Sequence, residues 1–541
     1  MGRKSSAGAG LILLTLCVGQ FLMMLDSSVM NVSIATVAKD VGTTVTGIQT
    51  AITLYTLVMA SFMITGGKIG QIIGRKRAFV IGCVIYGCGS LVTSLAPNLT
   101  VLLIGWSGLE GLGAALILPA IVSLVASNFD REERPRAYGL VTAAAAIAVA
   151  VGPIVGGLFT TYLSWRYVFA GEVLIVIAIL FLARRIEAGE PERKVRLDLV
   201  GTGLSALGLA LIVFGILRSG TWGLVQAKPE APEWIGLSPV VWLILGGVAV
   251  LWAFVAWESR LAERGREPLV DPAILRVPVL RGGLTSFFFQ YFLQGGLFFA
   301  VPLFLSIALG LSAIETGVRL LPLSVTLILA AAGIPKVFPD ASPRRVVRIG
   351  FLAMFAGLAV MVAALEAGAG PEIVTWPMLL TGIGIGSLAS QLGSVTVSSV
   401  PDEQSGEVGG LQNTITNLGI SVGTALTGAI VIAALSSSFL SGVEENPAVP
   451  ARVKAQASTE LSGGIPFLSD EELESALTEA RVPPRTTDAI VEENETARLD
   501  GLRTALSVLA LLALVGLFFT GRIPTRQPAA AGAEGDPALR A

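Results

Sequence analysis

Apolar runs long enough to cross a bilayer follow one another along nearly the whole chain, separated by short polar turns. About 20 apolar residues in helical form span the hydrocarbon core, and inside it every backbone N–H and C=O must be paired within the protein. The runs therefore predict an all-α polytopic membrane protein of about 14 helices, near 11–37, 47–67, 78–96, 100–126, 137–161, 165–184, 198–218, 239–258, 279–305, 314–336, 346–366, 373–399, 408–436 and 503–521. Composition agrees. Of the 541 residues, 53% are hydrophobic and 14% charged, against about 25% charged in soluble domains. A net charge of −2 with no basic domain gives no reason to expect nucleic acid as a partner.

Lysine and arginine set the expected orientation, because cytoplasmic loops collect them. With the N-terminus inside, Arg3 and Lys4, the Lys68–Arg77 loop, Arg131–Arg136, Arg184–Arg196, Arg260–Arg281, Lys336–Arg348 and Arg522–Arg540 all fall on one side. Only Lys39, Arg166, Arg218 and Lys228 fall in short loops on the other. Both termini are then cytoplasmic and the membrane is the cell membrane. Arg3 and Lys4 before an apolar stretch resemble a signal peptide, but the stretch is too long and lacks a clear cleavage site. It reads as an uncleaved first helix.

Three regions follow: an N-terminal six-helix bundle over 1–184, a linker with two extra helices over 185–278, and a C-terminal six-helix bundle over 279–541. The last contains an external loop, 438–500, with 13 acids and 5 bases. Ser469 followed by Glu472 predicts a capping box opening a short helix there, with Pro483 and Pro484 ending it. The loop reads as a solvated amphipathic hairpin.

Carboxylates inside apolar runs are the chemical signal. Asp26 lies in Leu11–Val37, Glu110 in Val101–Ala126, and Glu172 near the start of the sixth helix. A charge at the bilayer centre costs about 2.5 kcal/mol or more, so such residues usually face a wet cavity or a partner. At 1.5 Å per residue all three fall between the midplane and the outer leaflet. If they converge, repulsion and desolvation couple them to protons. Each could instead satisfy a structural hydrogen bond to a neighbouring helix. Histidine is absent, which excludes a histidine relay; Cys17, Cys83 and Cys88 give neither a disulfide framework nor metal spacing.

Several motifs surround these acids. The loop after helix 2 reads Gly67-Lys68-Ile69-Gly70-Gln71-Ile72-Ile73-Gly74-Arg75-Lys76-Arg77 and resembles motif A of the major facilitator superfamily. Gln71 stands where that family has an acid, and Ile72 where it has a base. Helix 5 carries Val151-Gly152-Pro153-Ile154-Val155-Gly156-Gly157, which resembles motif C of the family's exporters. Pro153 would kink the helix and the glycines would admit a close neighbour. Leu25-Asp26-Ser27-Ser28-Val29-Met30-Asn31-Val32 resembles a motif of the 14-span drug:proton antiporters. In helix 4, Ser107 and Glu110 occupy the places of the Arg and Gln of motif B, and Glu172 that of a frequent Asn.

The resemblance implies a major facilitator fold and alternating access, with Gly67, Lys68, Gln71, Gly74, Arg75, Gly152, Pro153, Gly156 and Gly157 at the conformational switch. It implies proton-coupled export of hydrophobic or cationic organic compounds, with Asp26, Glu110 and Glu172 as proton sites. Asn31, Phe288, Gln290, Tyr291, Gln294, Gln391, Asn413 and Asn417 are candidate substrate contacts, since aromatics with a few amides suit an organic solute. The aromatic run could equally face lipid. Glu315 and Arg319, spaced i,i+4, could form a structural pair, with a substrate contact as the alternative. No enzyme activity, cofactor or metal is expected; the partners are a small molecule, protons and lipid, with the protein a monomer. A dedicated exporter of one metabolite, antibiotic or lipid is the alternative, and a non-transporting sensor a remoter one.

Overall fold

A computed structural model describes residues 6–129, 133–186, 197–228, 231–266, 268–366, 368–400, 405–454, 467–480 and 482–527. Arg3, Lys4, Arg131, Arg193, Lys194, Arg196 and Arg540 of the basic clusters lie outside them, as do the side chains of Arg134 and Arg136. The described residues are helical apart from turns and a single isolated bridge between Trp234 and Leu237.

Among the described residues thirteen helices are long and apolar enough to span a membrane, and a bent pair, Ala137–Val149 and Val151–Tyr162, makes a fourteenth. The spans are α1 (Ser6–Val32), α2 (Val45–Ile73), α3 (Arg75–Ser94), α4 (99–128), α5 (Arg134–Tyr162), α6 (Arg166–Leu182) and α7 (Leu199–Trp222). They continue with α8 (Pro239–Glu263), α9 (Pro278–Leu303), α10 (Ala313–Val337), α11 (Pro343–Ala364), α12 (Thr375–Val397), α13 (Ser405–Glu445) and α14 (Pro484–Phe519). The starts obey local chemistry. Thr44 and Asn98 accept from backbone N–H groups at the heads of α2 and α4, and Ser238-Pro239 opens α8.

Three expected boundaries move. The run 11–37 is not one helix: α1 stops at Val32, and a short helix, Ile34–Asp40, follows the break at Ser33, whose hydroxyl bonds to Thr160 Oγ1 at 2.7 Å. Helices α13 and α14, of 41 and 36 residues, run well past the apolar segments. At 1.5 Å per residue each exceeds about 50 Å, against roughly 30 Å of hydrocarbon. Pro483 and Pro484 are the N-cap and first turn of α14 rather than the end of the preceding helix, which closes at Glu479. The capping box at Ser469 and Glu472 is present. Fully buried Arg498 of α14 grips Asp470 through two 2.7 Å contacts and Leu468 O at 2.8 Å, tying that short helix to the projecting hairpin.

Helices from the first and second halves of the chain meet along two seams. In one, Gln49 of α2 donates to Thr424 O and Ala425 O of α13, and Ser421 donates back to Thr53 O. In the other, α5 crosses the head of α10 so closely that a Cβ on Gly157 would lie 2.6 Å from Ile314 Cα, and one on Gly317 2.3 Å from Pro153 O. These contacts lie at the membrane end opposite the Lys68–Arg77 loop. The extra helix α7 lies beside the α2–α13 seam, where Leu209 and Val213 pack on Leu57, Leu418 and Val422, and Thr202 bonds to Thr65 at 3.1 Å.

Candidate functional site

Oxygens of Asp26, Glu110 and Glu172 lie within 4.8 Å of one another, brought together by α1, α4 and α6. All three side chains are buried. The helix bearing Glu110 is irregular. Residues Leu103–Glu110 form a π-helical segment, wider than an α-helix, and its last residue is the acid. Such segments are uncommon and often found at functional sites.

Close packing of α3 on α4 delivers Glu110 to the cluster. An added Cβ on Gly89 would meet Glu110 Cγ at 2.6 Å and its backbone N at 2.7 Å, and one on Gly105 would meet the Thr93 backbone N at 2.8 Å. Only glycine allows this approach. Helix α3 then lines the site with Tyr86, Ser90 and Thr93, spaced to share one face. Tyr86 and Ser90 donate to Glu172 Oε2 at 3.1 and 3.3 Å, and Thr93 donates to Glu110 Oε1 at 3.0 Å.

Trp106 provides the principal support for Asp26. Its indole N–H points at both carboxylate oxygens, 2.9 and 3.0 Å away, and its ring stacks on Tyr55 with centroids 4.9 Å apart. Ser107 turns instead to Ala51 O at 2.8 Å, pinning the π-segment to α2. Among the described residues, Glu110 Oε2 and Glu172 Oε1 are buried without a partner, while the Tyr55 hydroxyl faces Asp26. Three ionised carboxylates this close in a dry interior would repel strongly, and unpaired oxygens in such a place offer seats for protons. The spacing alone would also admit a metal ion.

The motif C glycines connect this site to the α5–α10 seam. A Cβ on Gly152 would lie 2.4 Å from Ser28 Cβ, and one on Gly156 2.9 Å from Val29 Cα, so α5 packs on α1 two and three residues from Asp26. Gly157 is the close contact to α10. In the motif A loop, Gly74 has φ +97° between α2 and α3, which requires glycine. Arg75 donates to Ser123 O at 3.2 Å. Gly67 has only an ordinary contact to Pro119; the tight approach belongs to its neighbour Gly66, against Ala115 O. Lys68 acts electrostatically on Glu407 at the head of α13. Gln71 is half-buried on the last turns of α2.

The candidate substrate contacts divide. Gln290 and Gln294 share one face of α9 with Ser286, and each presents a buried oxygen with no partner among the described residues. Phe288 and Tyr291 pack within the aromatic run, Tyr291 stacked on Phe287 at 6.1 Å. Asn417 is tied to Asn413 O and Asn31 to Ser27 O, each within its own helix. Gln391 accepts from Gln527, after the end of α14, at 2.9 Å. The i,i+4 pairing of Glu315 with Arg319 does not form. Glu315 instead caps α10, accepting from Ser312 N and Oγ at 2.9 and 2.7 Å, because a capping carboxylate turns back over the first turn, away from residue i+4.

A bundle of helices long enough to span a membrane, with three acids buried together inside it, defines a polytopic membrane protein. The sequence profile of the Major Facilitator Superfamily matches residues 16–424, and the chain belongs to that family. Among curated relatives, it is 30% identical to the cephamycin export protein CmcT of Amycolatopsis lactamdurans over 79% of this chain and 86% of that one. It is 28% identical to the probable actinorhodin transporter of Streptomyces coelicolor, covering 94% of this chain and 90% of the relative. It is 26% identical to the multidrug resistance protein Stp of Mycobacterium tuberculosis, with the same coverage. A bacterial homologue of the human lysosomal transporter Spinster shares the fold, at TM-score 0.59 and 14% identity over 95% of this chain and 98% of that one. The chain is thus a multi-pass membrane transporter of this superfamily, with antibiotic and multidrug exporters among its relatives.

Proposed function

We propose that the protein is a proton-coupled exporter of hydrophobic or cationic organic compounds, working by alternating access from the cell membrane with both termini in the cytoplasm. The convergence of Asp26, Glu110 and Glu172 within 4.8 Å carries this reading. With that orientation, the seams at Gln49–Thr424 and Gly157–Ile314 close the outer end. Protons entering the cluster neutralise charge on α1; α5, packed on α1 through Gly152 and Gly156 and on α10 through Gly157, passes a movement of α1 to the second bundle. Substrate meets the α9 face of Gln290 and Gln294 beside the aromatics. Protons and substrate then favour opposite-facing states, and the inward proton gradient drives efflux.

Proteoliposomes under an imposed ΔpH test this. Asp26→Asn should abolish ΔpH-driven efflux in a protein that still purifies as a folded, monodisperse monomer, and Glu110→Gln should alter the pH dependence of transport. Wild-type coupling in Asp26→Asn refutes the assignment. The names of the cephamycin and actinorhodin relatives favour a second reading, export of a single antibiotic-like metabolite. A competition screen separates the two: broad weak competition indicates a multidrug carrier, one tight competitor a dedicated one.

A further inference from the structure

A second charged site lies away from the acid cluster. At the head of α10, a cavity of about 560 Å³ opens between this helix, the turn before it and the start of α12. Leu311, Val318 and Pro322 form apolar wall, while Glu315, Arg319 and Thr375 contribute polar groups. Among the described residues Arg319 has no ion-pair partner, although it lies near enough to Glu315 for their charges to interact. An unpaired guanidinium inside a spanning helix is costly unless something of opposite charge meets it.

Depth identifies what could. Helix α10 has 25 residues, about 37 Å of helix against roughly 30 Å of hydrocarbon. Arg319 is six residues, about 9 Å, from its start. Helical side chains lean towards the N-terminus, so the guanidinium rises to the turn of Glu315, at the boundary between hydrocarbon and headgroups. Val318, Val325 and Leu329 are exposed on α10, as expected of a face that meets acyl chains. The cavity therefore presents a cation and an anion one helical turn apart, at headgroup depth, above an apolar wall.

We propose that this cavity holds the headgroup of a zwitterionic phospholipid, phosphatidylethanolamine. Its phosphate accepts from the Arg319 guanidinium, a geometry that arginine makes in bidentate form. Its ammonium, two carbons further on, meets the Glu315 carboxylate, whose capping bonds both use Oε2. Side chains four apart on a helix are separated by about 5–6 Å at Cβ, which suits a phosphate and an ammonium held on one short tether. Neither a purely anionic nor a purely cationic headgroup satisfies both residues.

Native mass spectrometry of the delipidated full-length protein tests the assignment. It would be titrated with phosphatidylethanolamine or phosphatidylglycerol of the same acyl chains, or with water-soluble glycerophosphoethanolamine. The expected result is one high-affinity phosphatidylethanolamine per chain, weakened about tenfold or more by Arg319→Gln, the loss of a charge-assisted contact. Glu315→Gln, which keeps a capping side chain, should weaken phosphatidylethanolamine but leave phosphatidylglycerol unchanged. Melting temperatures near wild type would show that both variants fold. The proposal is overturned if Arg319→Gln binds phosphatidylethanolamine like wild type, or if phosphatidylglycerol binds as tightly with no effect of Glu315→Gln, which would mean a general anion site. Displacement by the soluble headgroup at equal concentration would overturn the lipid assignment in favour of a free phosphoester.

Discussion

Gly157 sits where a single methyl group should change which way the carrier faces. An alanine Cβ there would lie 2.6 Å from Ile314 Cα, 2.7 Å from Ala313 O and 2.9 Å from Ile314 N. All three are backbone atoms, which cannot rotate aside, and carbon contacts are ordinarily about 3.5–4.0 Å. The α5–α10 seam must then part by about 1 Å, and overpacking of this kind costs about 1–3 kcal/mol. The cost falls only on the state in which these helix ends touch. Gly157→Ala should therefore shift the equilibrium away from that state by about 5- to 150-fold. Spin labels at Leu163 and Trp376, 66% and 71% exposed, beside the ends of α5 and α12, would report the separation of this end in a cysteine-free background. Double electron–electron resonance should show the long-distance population rising in Gly157→Ala. Gly171→Ala is the control, since its Cβ would meet nothing within 4 Å. An unchanged distance distribution in a folded Gly157→Ala protein would refute the idea that this contact sets the conformational balance.

Two other outcomes follow from the same geometry. Trp106→Phe keeps a ring against Tyr55 but removes the N–H that bonds Asp26; a lost bond to a charged group is worth about 1.5–3 kcal/mol, so ΔpH-driven efflux in proteoliposomes should fall at least about tenfold. Efflux at the wild-type level would show that the indole is only a packing element. Arg498→Ala removes the buried end of the Asp470 contact; the cost should be only about 1 kcal/mol, because the acid left behind sees water and no buried charge is orphaned. Limited proteolysis should then cut the 467–500 hairpin faster than in wild type, and equal cutting rates would argue that the hairpin is held by its apolar contacts alone.

Much of the architecture was legible in the chain, because the bilayer leaves it few choices. A run such as Leu199–Trp222 has nowhere else to go, and α7, α9 and α12 fall close to their expected positions. The errors lie where the bilayer stops acting. The break in the first helix falls at Ser33, whose hydroxyl meets Thr160, 127 positions away. The projecting ends of α13 and α14 are stabilised by each other and by Arg498, not by lipid. At the site, the acids stood out because a carboxylate in an apolar run is anomalous by itself. Their companions did not: Tyr86, Ser90 and Thr93 are ordinary polar residues, although their shared face was a signal that could have been read. The π-segment Leu103–Glu110 had no such signal.

The sequence by itself determined that the chain spans the membrane many times, that Asp26, Glu110 and Glu172 lie within it, and that glycines punctuate α5. These are properties of single segments, set by transfer free energies and local backbone freedom. Only the tertiary structure decided that the three acids share one space, that Trp106 donates to Asp26, and that α5 touches both α1, which bears Asp26, and α10. It also decided that Glu315 caps its helix instead of forming an ion pair with Arg319. Each of these depends on which helices lie side by side, and at what rotation. Hydropathy, which is the same whichever neighbour a helix meets, does not encode that.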